Sequence, residues 1–316
     1  MSDPPRREGV AEFVVNGETY QTWYQVFGDL SNSPRLPLIV VHGGPGLSHD
    51  YLYPLSDLAA SASIAVIFYD QLGNGRSSRL PDKPQGFWNM DLFVDELANL
   101  VEHLGIGGGF DLLGHSYGGM IGAQYVAERQ PSGLRHLILS DSFASMDLWN
   151  ESLGQLAQAF PPDVREGLRL GMRDVPKYKY ALMEFYSVHG CTIKPFPAEF
   201  VRTFEYVFGD ERDTTVADAM WVPSHCQEDV VADHSPRFPY LQGWTIIDRL
   251  HLISVPTLLI NGKADFAQDF ASRPFFERIP KVKWLTLESS SHMPFWEERD
   301  RYMQEVGSFL KTQCHC

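Results

Sequence analysis

A chain of 316 residues, 44% hydrophobic and 21% charged, is long enough for one large α/β domain with an insertion, or for two small domains. Its formal net charge of −14 argues against nucleic acid or an anionic membrane surface as a partner, since both would repel it. No apolar run reaches the ~18 to 20 residues of a membrane helix. The opening MSDPPRREGV has arginines but no apolar stretch, so it reads as a frayed tail and not as a secretion signal.

Residues 12–15 and 20–26 are expected to form an opening pair of strands around the Asn16-Gly17 turn. The runs 37–41, 64–69 and 110–113 are continuously apolar, which fits strands covered on both faces by helices. Between them, Leu92, Phe93, Leu97, Leu100, Val101 and Leu104 recur at helical spacing over 91–104. A fourth strand is expected at 134–140. The alternation then stops: from about 146 to 243 short helical patterns are broken by prolines at 161, 162, 176, 195, 197, 223, 236 and 239. Strands resume at 255–260 and 282–287, and an amphipathic helix closes the chain over 299–311. The economical architecture is one core domain, 1–145 with 244–316, around a mostly parallel sheet, with a helical cap at 146–243.

Cys191, Cys226, Cys314 and Cys316 are too few and too scattered for a disulfide framework, so a reduced, cytoplasmic setting is expected. The ending Cys314-His315-Cys316 lacks the wider spacing and second ligand pair of structural zinc, and no metal is expected.

Gly114-His115-Ser116-Tyr117-Gly118 fits the pattern G-x-S-x-G between an apolar strand and a helix opening at Gly119. A serine on so sharp a turn has strained backbone angles and needs small neighbours. Its hydroxyl is a poor nucleophile until a base takes the proton, and the base needs an acid to fix its tautomer. Chain order Ser, Asp, His makes Asp265, just after the strand at 255–260, the acid and His292, just past the strand at 282–287, the base. Asp269 is an alternative acid, whereas His42 and His251 follow no late strand and are poor bases. Two backbone donors must hold the oxyanion. Tyr117 N–H is one; the other comes from His42-Gly43-Gly44-Pro45-Gly46, where Pro45 has no N–H, so Gly44 is favoured and Gly43 is the alternative. Asp70-Gln71-Leu72-Gly73-Asn74-Gly75-Arg76-Ser77 is read as a structural loop beside the nucleophile.

These motifs, HGGPG at 42–46, DQLGNGRS at 70–77 and GHSYGG at 114–119, together with the placement of Asp265 and His292, resemble the proline iminopeptidase and L-amino-acid amidase family. The likeness runs from about residue 20 to 310 and implies an α/β-hydrolase fold with a helical cap. In that family two glutamates typically hold the substrate's free α-ammonium group, one in a cap motif like P-S-E-F and one directly after the catalytic aspartate. Here those places read Pro223-Ser224-His225-Cys226 and Asp265-Phe266. A cation entering a partly dry pocket needs a paired anion. Imidazole and phenyl in place of two carboxylates remove that pairing, with Glu228, Asp229 or Glu184 as the acids that could restore it. Trp221, His225 and Phe266 are the candidate substrate contacts.

The leading expectation is a serine hydrolase that forms an acyl-enzyme on a small neutral ester, lactone, thioester or amide, with no cofactor. A proline-releasing aminopeptidase is the first alternative. A cyclase, acyltransferase or lyase on the same fold is the second, and a ligand receptor built on a hydrolase scaffold the third. The expected partner is a small molecule, and the oligomeric state is left open.

Overall fold

The computed structural model describes residues 5–31, 33–210, 212–220 and 241–311. It opens on a hairpin: β1 (Arg6–Val15) pairs along its whole length with β2 (Glu18–Phe27). Asn16 and Gly17 turn the chain at φ 53° and 82°, and two left-handed residues in succession give a two-residue turn the twist its strands need. The strand starts at Arg6, so the expected frayed tail is corrected from that residue on. Charges at 6–8 look ill-suited to a strand. On a sheet edge, however, they stay in water and discourage further pairing, and Arg6 lies over the rings of Phe27 and Tyr53 at 5.5 and 5.9 Å.

Strands and helices then alternate: β3 (Leu38–Val41), α1 (Asp57–Ser61), β4 (Val66–Tyr69), α2 (Met90–His103), β5 (Phe110–His115), α3 (Tyr117–Arg129) and β6 (Leu134–Ser140). Five helices follow: α4 (Met146–Ala157), α5 (Pro162–Leu170), α6 (Val175–His189), α7 (Ala198–Phe208) and α8 (Thr215–Met220). The chain closes with β7 (Thr257–Gly262), α9 (Asp269–Arg278), β8 (Val282–Leu287), α10 (Pro294–Glu297) and α11 (Arg299–Phe309). The helical insertion thus begins at α4, where Ser145 caps the helix by accepting from Asp147 N–H at 3.2 Å. The end of the expected cap, 221–240, lies outside the described residues, as do Cys226, Cys314 and Cys316. Cys191 is buried and unbridged.

Among the described residues, eight strands join one sheet in the order β1-β2-β4-β3-β5-β6-β7-β8. β2 meets β4 antiparallel, and from β4 onward every pair is parallel. Every residue of β3, β4 and β5 is buried, because helices cover both faces. Alternate side chains feed two apolar clusters, Ile39, Val41 and Ile67 on one face and Leu38, Val40 and Val66 on the other. Two strands run further than their apolar residues suggest. β5 continues to His115 opposite Ser140, and β7 starts at Thr257 and continues to Gly262 opposite Leu287. The carboxyl ends of β5, β6, β7 and β8 therefore stand side by side, the edge where sites of open α/β sheets are built. Among the described residues no helix is long and apolar enough to cross a membrane.

Candidate active site

Ser116 sits between β5 and α3 at φ 55°, ψ −123°, a left-handed conformation that non-glycine residues seldom adopt. Hydrogen bonds hold it there. Its N–H donates to the Ser140 carbonyl at 2.9 Å, and its own carbonyl accepts from Gly119 N–H at 2.9 Å and from Ser142 Oγ at 2.8 Å. The turn closes because Gly118 lies against the carbonyls of Val41 and His42, where any side chain would collide. The G-x-S-x-G pattern thus reports how closely the turn packs on β3.

Asp265 and His292, selected from chain order, meet at that edge. His292 Nδ1–H donates to Asp265 Oδ1 at 2.7 Å, and the same oxygen accepts from Ala267 N–H at 2.9 Å. This fixes the tautomer that leaves Nε2 as an acceptor. Burial pushes the imidazole down, to about 3, so His292 is held neutral, as a base must be. His115 Nε2–H donates to the His292 carbonyl at 2.8 Å and the two rings lie 4.6 Å apart, which ties the base to the residue preceding Ser116. Among the described residues no hydrogen bond joins Ser116 and His292; catalytic bonds of this kind commonly tighten only around substrate. The loop carrying His292 is pinned by Glu297, whose carboxylate accepts from Ser291 N–H and Oγ–H at 2.7 Å each.

The rival residues have other duties. Asp269 opens α9, its carboxylate 3.4 Å from Asn261 Nδ2. His251 is exposed in the turn Ile247–Leu252. His42 Nε2 accepts from Gln71 N–H at 3.0 Å while Nδ1–H donates to the Gly43 carbonyl at 2.8 Å, and burial holds it neutral, pushed down to about 4. The 70–77 loop is structural, as expected. Asp70 accepts from His49 N–H and Nδ1–H at 2.9 and 2.8 Å and from Arg76 N–H at 2.9 Å, and Gln71 Nε2 donates to the His42 carbonyl at 2.8 Å.

The two candidate oxyanion donors from the glycine loop separate on their partners. Gly43 N–H donates to Tyr51 Oη at 2.7 Å, and Tyr51 O–H donates in turn to His115 Nδ1 at 2.8 Å. Gly43 is therefore engaged. Among the described residues no hydrogen bond engages Gly44 N–H, and Gly44 adopts φ +133°. Tyr117 is the first residue of α3, where backbone N–H groups point out of the helix and the helix dipole favours negative charge.

Aromatic side chains close over this polar base. The Phe266 ring lies 3.8 Å from the His292 ring, 5.0 Å from Trp149 of α4, and 6.0 and 5.4 Å from Phe185 and Tyr186 of α6. Ser152 Oγ of α4 donates to the Phe266 carbonyl, so the insertion grips the loop that follows the acid. Trp221 and His225 lie outside the described residues, as do Glu228 and Asp229. Four residues around the site escaped the sequence reading: Tyr51, His115, Glu297 and a second buried carboxylate, Asp141. Only Asp141 carried a usable signal, since it directly follows the strand between those bearing the serine and the acid.

A family model described as alpha/beta hydrolase fold matches residues 37–170. The crystal structure of VinJ is 38% identical, with a TM-score of 0.85 over 98% of this chain and 99% of that one. The proline iminopeptidase of Mycobacterium smegmatis is 34% identical, with a TM-score of 0.80 over 96% and 97% of the two chains. The proline iminopeptidase of Lactobacillus delbrueckii subsp. lactis is 30% identical over 304 residues, 93% of this chain and 96% of the relative. The chain is a hydrolase and belongs to the proline iminopeptidase family of α/β hydrolases.

Proposed function

We propose that this protein is a serine hydrolase that acts through an acyl-enzyme on a small, neutral ester, lactone, thioester or amide. Ser116 Oγ attacks the carbonyl as His292 Nε2 takes its proton, and Asp265 holds the imidazole in register. Tyr117 and Gly44 N–H groups receive the negative charge on the carbonyl oxygen. His292 then returns the proton to the leaving group. Water, activated by the same imidazole, releases the acid and restores Ser116. The steps call on no metal and no organic cofactor.

The observation that carries the substrate class is Phe266. Family resemblance places a glutamate directly after the acid, where it pairs with a substrate ammonium group; here the position holds a buried phenyl ring against His292. An ammonium group brought there would lose water without gaining an anion, whereas a neutral acyl group gains apolar contact. The aminopeptidase reading has the names of the 30–34% identical relatives in its favour, and it requires another acid, Glu184 of α6 or Glu228 or Asp229, to take over the amine.

Hydrolysis of p-nitrophenyl acetate by wild type and Ser116→Ala tests the machinery, combined with fluorophosphonate labelling mapped by mass spectrometry. Labelling at Ser116 and a variant at least about 10⁴-fold slower are expected. Labelling elsewhere, or a variant as fast as wild type, would refute the assignment.

A further inference from the structure

The acid of the triad does not stand alone. Asp265 uses one oxygen, Oδ1, for both His292 and Ala267. The other, Oδ2, is buried and accepts no hydrogen bond from an ordinary donor among the described residues. Facing the Asp265 carboxyl is a second buried carboxyl, that of Asp141. One carboxylate oxygen each of Asp141 and Asp265 and one ring nitrogen of His292 all lie within 4.8 Å of one another, and all three residues are buried.

Asp141 is held to this position from several sides. It follows β6 in the left-handed region at φ 50°, which aspartate tolerates better than most residues. Its N–H donates to the Ile260 carbonyl of β7 at 2.8 Å, Gly262 N–H donates to its Oδ1 at 3.0 Å, and Ser140 Oγ–H donates to its Oδ2 at 2.7 Å. Tyr302 O–H of α11 donates to Ser140 Oγ at 2.9 Å. Donors thus point from Tyr302 through Ser140 into Asp141. Nothing in this arrangement serves the hydrolytic steps set out above.

We infer that Asp141 is a positioning residue for the triad: it stays a neutral carboxylic acid and donates its proton to Asp265 Oδ2, so that the pair carries one negative charge, seated on Asp265. Two carboxylates so close in a dry site cannot both ionise. Around the pair stand His292, His189, Asp269, Tyr51, Tyr186 and Tyr302, none of which is a permanent cation. The proton belongs on Asp141 because the Asp265 anion is already met by an imidazole N–H and a backbone N–H. Burial pushes both carboxyls up, Asp265 to about 8 and Asp141, which also faces the charge of Asp265, well above the usual carboxylate range, while the bond that Asp141 gives offsets part of the rise at Asp265. A neutral carboxyl has room for every partner: its hydroxyl oxygen donates once and still accepts, and its carbonyl oxygen accepts. With both oxygens tied, Asp265 cannot swing.

The inference rests on the Ser116, His292 and Asp265 reading, and Ser116→Ala in the same assay separates the two failures. A fully active Ser116→Ala overturns the triad and leaves the carboxyl pair to the spectroscopy below. Asp141→Ala is expected to lower kcat by about tenfold or more at unchanged KM, the loss that goes with an unmade buried hydrogen bond. Asp141→Asn keeps a donor toward Asp265 and is expected to recover most of that loss. An infrared difference spectrum at pH 7, wild type minus Asp141→Asn, should show the carbonyl band of a protonated carboxyl. The proposal is overturned if that band is missing, or if Asp141→Asn is as slow as Asp141→Ala. Should Asp141→Ala not fold, the band and the kcat of Asp141→Asn against wild type decide.

Discussion

The polar base of the site and its aromatic cover are built on different principles. The base consists of loops at the ends of β3, β4, β5, β7 and β8, linked by short hydrogen bonds. One such series runs from Gly43 through Tyr51 and His115 to the His292 carbonyl, each step at 2.7 or 2.8 Å. The cover comes from α4, α6 and Phe266, and ring contacts of 3.8 to 6.0 Å dominate it. Hydrogen bonds are directional, so the base admits one geometry. Apolar contacts are not, and aromatic residues can be exchanged at modest cost. Under the proposed function the base sets the reaction and the cover the choice of substrate, so that chemistry can be kept while the substrate changes.

The largest effect expected from breaking the base is that of Asp265→Asn. Losing the acceptor that sets the His292 tautomer should lower kcat by about 10⁴-fold with the protein still folded, as steady-state kinetics beside circular dichroism would show. A loss under tenfold would mean that another acid serves. Tyr51→Phe comes next. It leaves Gly43 N–H and His115 Nδ1 without partners, so kcat should fall by about 5- to 100-fold, the range that follows from one or two unmet buried polar groups. An unchanged kcat would separate the Tyr51 bonds from the reaction.

A cover substitution should do less. Phe266→Leu keeps the site apolar but loses the ring against His292, and should lower kcat/KM for esters by about two- to tenfold, the worth of an aromatic contact. A greater loss confined to kcat would move Phe266 into the base. The smallest effect is on stability. Glu96 accepts from Leu72 N–H at 2.9 Å beside the 70–77 loop, and burial pushes its carboxyl up to about 8. A raised acid stabilises the fold fully below its unfolded pKa, near 4.5, and loses that contribution as pH rises through 8. Between pH 5 and 8 the Tm of wild type should therefore fall relative to Glu96→Gln, by about 2 to 4 °C for each kcal/mol involved. A gap that is constant with pH would show that Glu96 is ionised throughout.

The same contrast explains what the sequence disclosed. The base was legible because its parts are contiguous motifs, 42–46, 70–77 and 114–119, whose glycines are demanded by close backbone approach, and because Asp265 and His292 follow recognisable strands. Residues that act from a distance left no such mark. Tyr51 and Glu297 lie in ordinary stretches and matter only through partners 64 and 6 residues away. Asp141 carried only the mark of its place directly after β6, and its partner is visible only once β6 is seen between β5 and β7. At the other end, β1 was missed over residues 6–11 because charge on an edge strand imitates a solvated tail. Phe266 was singled out by its place after Asp265, yet its contacts with α4 and α6 depend on an insertion whose prolines obscure any periodicity.

The account turns on whether this site has given up recognition of a free amine. The most direct measurement compares kcat/KM for proline p-nitroanilide with that for its N-acetyl derivative, two substrates that differ only in the charged nitrogen, with Ser116→Ala as the control. A phenyl ring in place of a carboxylate predicts that the acetylated substrate is cleaved at least as well as the free amine, and that Ser116→Ala abolishes both activities. A clear preference for the free amine, lost in Ser116→Ala, would contradict the account: the triad would stand, and the protein would be an aminopeptidase that finds its anion elsewhere.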